Sequence, residues 1–191
     1  MRPDSNHYYP GTLGNQPIAV QFHAGSHYVA LRLLEGYLPK DKIKLVNYGS
    51  PEQRFEAMMN GDVEAAAVME PWIALGEKLG CRAVCEGHYL GAESASDDMD
   101  PETFQALNRA VANAVDMINA DKKKYIHYML DEIPEKYAKQ LTPDDFYLPR
   151  LRYVEIAPYS QDEFERAYNW MVSWDLVGDD ANYENLVSNR L

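Results

Sequence analysis

Two histidines four positions apart, His23 and His27, bracket the small-residue run Ala24-Gly25-Ser26, and Tyr28 follows directly. The run lies between a short apolar segment, Ile18–Phe22, and a segment with a helical apolar face, Ser26–Tyr37. That order predicts a tight turn from a strand into a helix. A helix N-terminus carries backbone N–H groups without intrahelical acceptors and a partial positive charge, which suits an anion. Gly25 permits close approach to the backbone, and the Ser26 hydroxyl adds a donor. His27 and Tyr28 have ring edges able to line a pocket, though Tyr28 equally suits the inner face of the helix. Three small residues at a turn are also often only a turn.

Other chemistries fit these residues poorly. Two histidines at i and i+4 are a metal-ligand spacing only on one helix, and Gly25 interrupts that geometry. No carboxylate or cysteine stands close by in the sequence, so no metal and no cofactor are expected. Ser26 beside His27 does not make a nucleophile–base pair, because sequence neighbours rarely face each other. A second turn holds Glu70-Pro71-Trp72. Its carboxylate suits a cationic or N–H group, or the cap of the following helix. Its indole suits stacking on a ligand, or packing inside. Cys81 and Cys85 would share a face of one strand but stand too far apart to bridge, so two small buried residues are expected.

The elements that must position these turns alternate. Ile18–Phe22, Ile43–Tyr48, Glu64–Met69 and Arg82–Glu86 read as strands. Ser26–Tyr37, the segment after Ser50-Pro51 and the segment after Pro71 read as helices. Ser50 and Gln53 form a capping-box pattern, Pro51 takes the first helical position, and Gly61 is placed to end the helix. The β-α-β-α-β-α-β order predicts an α/β fold with a four-stranded, mostly parallel sheet and right-handed crossovers. Its strand-to-helix turns, His23–His27, Tyr48–Glu52 and Met69–Trp72, then share the carboxyl edge, where open α/β sheets bind ligands.

Gly87–Met99 reads as a linker, and a helical array follows it. Asp100 caps a helix whose Phe104, Leu107, Val111, Val115 and Ile118 recur at helical spacing. Lys122–Leu130, Pro134–Gln140, Gln161–Trp174 and Tyr183–Leu191 read as further helices, and Tyr153–Ile156 as a short extended piece. The expected organisation is an N-terminal extension at 1–16, an α/β lobe at 17–96 and a helical segment at 97–191.

The formal net charge of the 191 residues is -12. Nucleic acid and anionic membranes are therefore poor partners. The excess is concentrated in the second half: residues 1–96 carry 8 basic and 11 acidic groups, and residues 97–191 carry 10 and 19. No apolar run approaches the ~20 residues of a membrane span. The first residues, MRPDSNHYYPG, lack the pattern of a signal peptide.

The segments PIAVQFHAGSHYVALRLLEG, IKLVNYGSPEQRFEAMMNGDVEAAAVMEPWIALGEKLG, ETFQALNRAVANAVDMINAD and WMVSWDLVGDDANYENLVSNRL, in that order, resemble the ABC-importer substrate-binding proteins. The nearest group handles nitrate, sulfonates, taurine and thiamine-pyrimidine precursors. The resemblance implies one lobe of a type II periplasmic-binding fold and a small anionic or polar organic solute. It makes Ala24, Gly25, Ser26, His27, Tyr28, Glu70 and Trp72 the expected ligand contacts. It also implies an ABC permease as partner and a periplasmic setting, although the absence of an export signal leaves a cytoplasmic one open. The residues that build most of the family's first lobe have no counterpart here, so the resemblance implies either a fragment of a longer protein or a homodimer or partner chain over the uncovered face. Two alternatives stand beside the binding module. One is an enzyme on the same fold, desulfinase-like or pyrimidine-precursor-synthase-like. The other is a degenerate lobe serving as an interaction subunit.

Overall fold

The computed structural model describes residues 1–91, 95–96 and 98–188. Three strands, β1 (Pro17–Val20), β2 (Lys44–Asn47) and β3 (Ala65–Ala66), form a parallel sheet in the order β2-β1-β3. Pro17 to Val20 pair with Lys44 to Asn47, and Ile18 and Ala19 pair with Ala65 and Ala66. The central β1 is the most enclosed, with Ile18, Ala19 and Val20 all buried. A parallel sheet covered on both faces has this apolar central strand.

The helices between the strands follow from their own sequences. In α1 (Gly25–Leu34), His27, Ala30, Leu31 and Leu34 are buried, at the spacing of one helix face. In α2 (Pro51–Asn60) the Ser50 hydroxyl accepts from the Gln53 N–H while the Gln53 side chain accepts from the Ser50 N–H. Gly61 closes that helix in the left-handed region, at φ 84°, where a side chain would be strained. In α3 (Trp72–Lys78), Trp72, Ala74, Leu75 and Gly76 face inward.

The expected four-stranded sheet is corrected to three strands among the described residues. Arg82–Glu86 lies outside the sheet, and Arg82 at its start is bonded to the first residues of the chain instead. The Arg82 N–H donates to the Met1 carbonyl at 2.9 Å, and the Met1 amino group donates to the Arg82 carbonyl at 3.0 Å. The Arg82 guanidinium reaches the Pro3 carbonyl at 3.0 Å and also bonds the carbonyls of Ser5 and His7. The first residues thus line this segment, and the Met1 and Leu13 side chains enter the core.

The chain groups into two compact units, Met1–Tyr89 with Lys123–Arg150, and Leu90–Lys122 with Leu151–Leu191. The first unit holds the sheet, α1 to α3, α5 (Lys122–Asp131) from its second residue onward, and α6 (Glu135–Ala138). Tyr137 of α6 packs its ring against Trp72 at 5.0 Å between centroids and bonds the Glu56 carboxylate of α2. The second unit holds α4 (Pro101–Ala120), α7 (Gln161–Ser173) and α8 (Tyr183–Leu186). Asp100 caps α4 on the Thr103 N–H, and Ser160 with Glu163 forms a capping box on α7. Phe164 stacks on Tyr168 and meets Tyr183 edge-on, joining α7 to α8. Tyr153–Ile156 forms no strand, and residues 189–191 of the expected last helix lie outside the described residues.

Candidate functional site

The turn from β1 into α1 is held by its own polar groups. The Gln21 N–H donates to Ser26 Oγ at 2.9 Å, and the Phe22 N–H to Asn47 Oδ1 at 2.9 Å. The His23 N–H donates to His27 Nδ1 at 3.2 Å, and the Ala24 N–H to the Gln21 carbonyl at 3.2 Å. His23 adopts a left-handed conformation, φ 60°, which reverses the chain ahead of the helix. Ala24 takes the N-cap position without a side-chain cap. The His27 N–H then returns to the Ala24 carbonyl at 2.9 Å. The N–H groups of Gly25 and Ser26 are left without an acceptor among the described residues. Ser26 Oγ accepts from the backbone, so its own hydrogen remains available to donate.

His27 is a support of this turn. Its Nδ1 acts as an acceptor, which fixes the proton on Nε2. Burial, and then the nearby His23, push its pKa below the ordinary value of 6.5. Tyr28 stacks on the His27 ring at 5.4 Å. A histidine kept neutral by the fold contributes stability that is fully present above its unfolded pKa and is lost as pH falls through the lowered folded value. Between about pH 7 and about pH 5, urea midpoints should therefore fall more for the protein than for His27→Asn, whose amide oxygen accepts from the His23 N–H without titrating.

Glu70 and Trp72 are engaged by the fold. Glu70 Oε2 accepts from the Ala74 N–H at 2.9 Å, in the first turn of α3. Glu70 Oε1 pairs with Arg150 Nη1 at 2.8 Å, with side chains only 7% and 9% exposed. Glu77 and Glu86 also bind this guanidinium, at 2.7 and 3.1 Å. Burial lowers the Arg150 pKa, and hydrogen bonds to Glu77, Glu70 and Glu86 more than offset that, so the group stays charged. Trp72 is 4% exposed and packs on Phe55 and Tyr137. Burial pushes both the Cys81 and Cys85 thiols up, away from the reactive thiolate. Among the described residues no group of three His, Cys, Asp or Glu side chains is placed to hold a metal, and no helix is long and apolar enough to cross a membrane.

Two residues outside the sequence expectation lie at the carboxyl edge of the sheet. Arg54 of α2 is 3% exposed. Its Nε donates to the Ala67 carbonyl at 2.8 Å, and its Nη1 to the Gly49 carbonyl at 2.6 Å. Gly49 follows β2 and Ala67 follows β3, so the guanidinium reaches across the carboxyl end of the central β1. Tyr89 covers Gly25: a Cβ built on Gly25 would meet the Tyr89 hydroxyl at 2.6 Å. Arg54 was detectable in principle as a cation on the buried face of α2, beside Phe55 and one turn before Met58. Tyr89, in the linker, carries no such signal.

No family model and no curated protein matches the sequence. Solved structures do match. The periplasmic aliphatic sulphonate binding protein SsuA from Escherichia coli superposes with a TM-score of 0.70 at 16% identity, over 97% of this chain and 66% of that one. The alkanesulfonate-binding protein SsuA from Xanthomonas axonopodis pv. citri, bound to MOPS, gives 0.69 at 17% identity, over 100% of this chain and 65% of that one. The chain shares the fold of a large part of these two proteins. It spans about two thirds of their length.

Proposed function

We propose that this chain contributes the inserted lobe of a type II substrate-binding protein, and that its β1–α1 turn receives the anionic head of a small organic solute. The observation that carries this reading is the turn itself. The Gly25 and Ser26 N–H groups lack acceptors at the start of a ten-residue helix, on the carboxyl edge of a parallel sheet. The likeness to two sulfonate-binding proteins supports a sulfonate-type head. Ala24, Gly25 and Ser26 form the floor of the site. His27 and Tyr28 hold its shape, and Glu70 and Trp72 fix the neighbouring turn from beneath. The opposite wall comes from residues outside the matched portion, whether on the same polypeptide, on a second copy or on another chain. Delivery to an ABC permease and a periplasmic setting belong to the same reading.

Calorimetric titration with ethanesulfonate tests it. Binding is expected for the unmodified chain, and Gly25→Val should weaken it about tenfold or more, because a bulky side chain bars approach to the N–H groups. Gly25 does not lie at positive φ, and the atoms its Cβ would meet belong to the far end of one exposed tyrosine side chain. The fold should therefore survive the substitution. Unchanged affinity for ethanesulfonate in Gly25→Val refutes the reading.

A further inference from the structure

β3 bonds β1 along one edge, and among the described residues no backbone hydrogen bond joins its other edge to residues 83–87. That stretch of chain is propped at both ends instead. A Cβ built on Gly76 of α3 would meet the Cys81 Cβ at 3.4 Å, and one built on Gly87 would meet Leu33 Cδ2 of α1 at 3.0 Å. The backbone is therefore already in contact at both places and has no room to sink further. Polar bonds fix the same ends. Arg82 exchanges backbone hydrogen bonds with Met1. The Glu86 carboxylate accepts from Arg150 Nε at 3.1 Å, and His88 Nε2 lies 3.0 Å from the Arg150 carbonyl oxygen. Between these props, residues 81–87 form an arch.

The arch covers a cavity of about 170 Å³. Val29 and Leu33 of α1, Val68 after β3, Ile73 of α3, and Val84 and Cys85 of the arch all line it, and all six are half-buried. Protein interiors are close-packed and rarely hold voids larger than a water molecule. A space of this size is therefore a feature of the unit and not ordinary packing. Burial keeps the Cys85 thiol neutral, so it acts as a small apolar group. Glu77 and Glu86 also border the cavity, but both are more than a third exposed and both are bound to Arg150. They mark its solvent side and offer a ligand no free charge.

We infer that this cavity is a second binding site, separate from the β1–α1 turn, and that its ligand is an uncharged apolar molecule about the size of benzene. None of residues 23–28 lines it. An apolar cavity of about 150 Å³ stays dry and takes up benzene, and the space here is of that size. Water is the poorer occupant, because it needs about two to four polar partners and the lining is mainly carbon and sulfur. A carboxylate is excluded, since burying a charge without a counter-charge is costly. Collapse of the arch is opposed by the contacts at Gly76 and Gly87.

The test compares benzene with benzoate on the full chain. Benzene should give intermolecular NOEs from its ring protons to the methyl groups of Val29 and Val84. It should also raise the urea midpoint progressively with its concentration, as a ligand of the folded state does. Benzoate at the same concentrations should do neither. Val29→Phe places a ring of the protein in the cavity, so it should keep the fold and lower benzene affinity about tenfold or more. If that variant fails to fold, the methyl contacts in the unmodified chain decide. Benzene that makes no contact with the Val29 and Val84 methyls, or that binds a folded Val29→Phe unchanged, overturns the proposal. So does an equal response to benzoate. Each of these results leaves the function proposed for the β1–α1 turn standing.

Discussion

Arg150→Met should lower the stability of the α/β unit by about 3–5 kcal/mol, the usual cost of leaving a buried charge without its partner. Arg150 gathers three carboxylates, Glu70, Glu77 and Glu86. Glu77 and Glu86 are more than a third exposed and can turn to water. Glu70 cannot, because its carboxylate is buried and fixed on the Ala74 N–H. The loss should therefore fall mainly on Glu70. Glu70→Gln in the Arg150→Met background should recover a substantial part of it, since the amide oxygen still accepts from Ala74 and no charge remains. Urea denaturation of the two single variants and the double variant measures this coupling. Simple additivity would show that the buried pair is not the source.

Trp72→Ala should cost about 3–5 kcal/mol, in the range of large aromatic deletions from cores. The ring is 4% exposed and wedged between Phe55 at 5.3 Å and Tyr137 at 5.0 Å. Removing it opens a cavity and also detaches α6 from α2 and α3. A tryptophan acting chiefly as a ligand platform would behave in the opposite way, with stability kept and affinity lost. Trp72→Phe should retain most of the stability, because it preserves an aromatic contact with both neighbours.

What was legible in the sequence was mostly local. Ser50, Pro51, Gln53 and Gly61 mark α2 because caps and left-handed turns depend on residues within a few positions. The β1–α1 turn was legible for the same reason: an apolar run, three small residues and a helical face leave little choice. Pairings over long separations were not legible. Glu70 and Arg150 are 80 positions apart, and nothing near either residue announces the other. The Arg82–Glu86 segment has a strand-like composition. Whether it joins the sheet depends on partners distant in the chain, and Arg82 at its start pairs with Met1. Tyr89 is a tyrosine in a polar linker, and only the fold brings it over Gly25.

Gly25 and Ser26 N–H groups that receive an anionic head respond to it before any other amide of the chain. Backbone amide mapping by NMR during an ethanesulfonate titration tests it most directly. Saturable shifts are expected, largest at Gly25 and Ser26 and smaller at neighbouring turn residues. Those shifts should be lost in Gly25→Val with the rest of the spectrum preserved. Saturable shifts confined to another part of the chain, or none at Gly25 and Ser26, would contradict it.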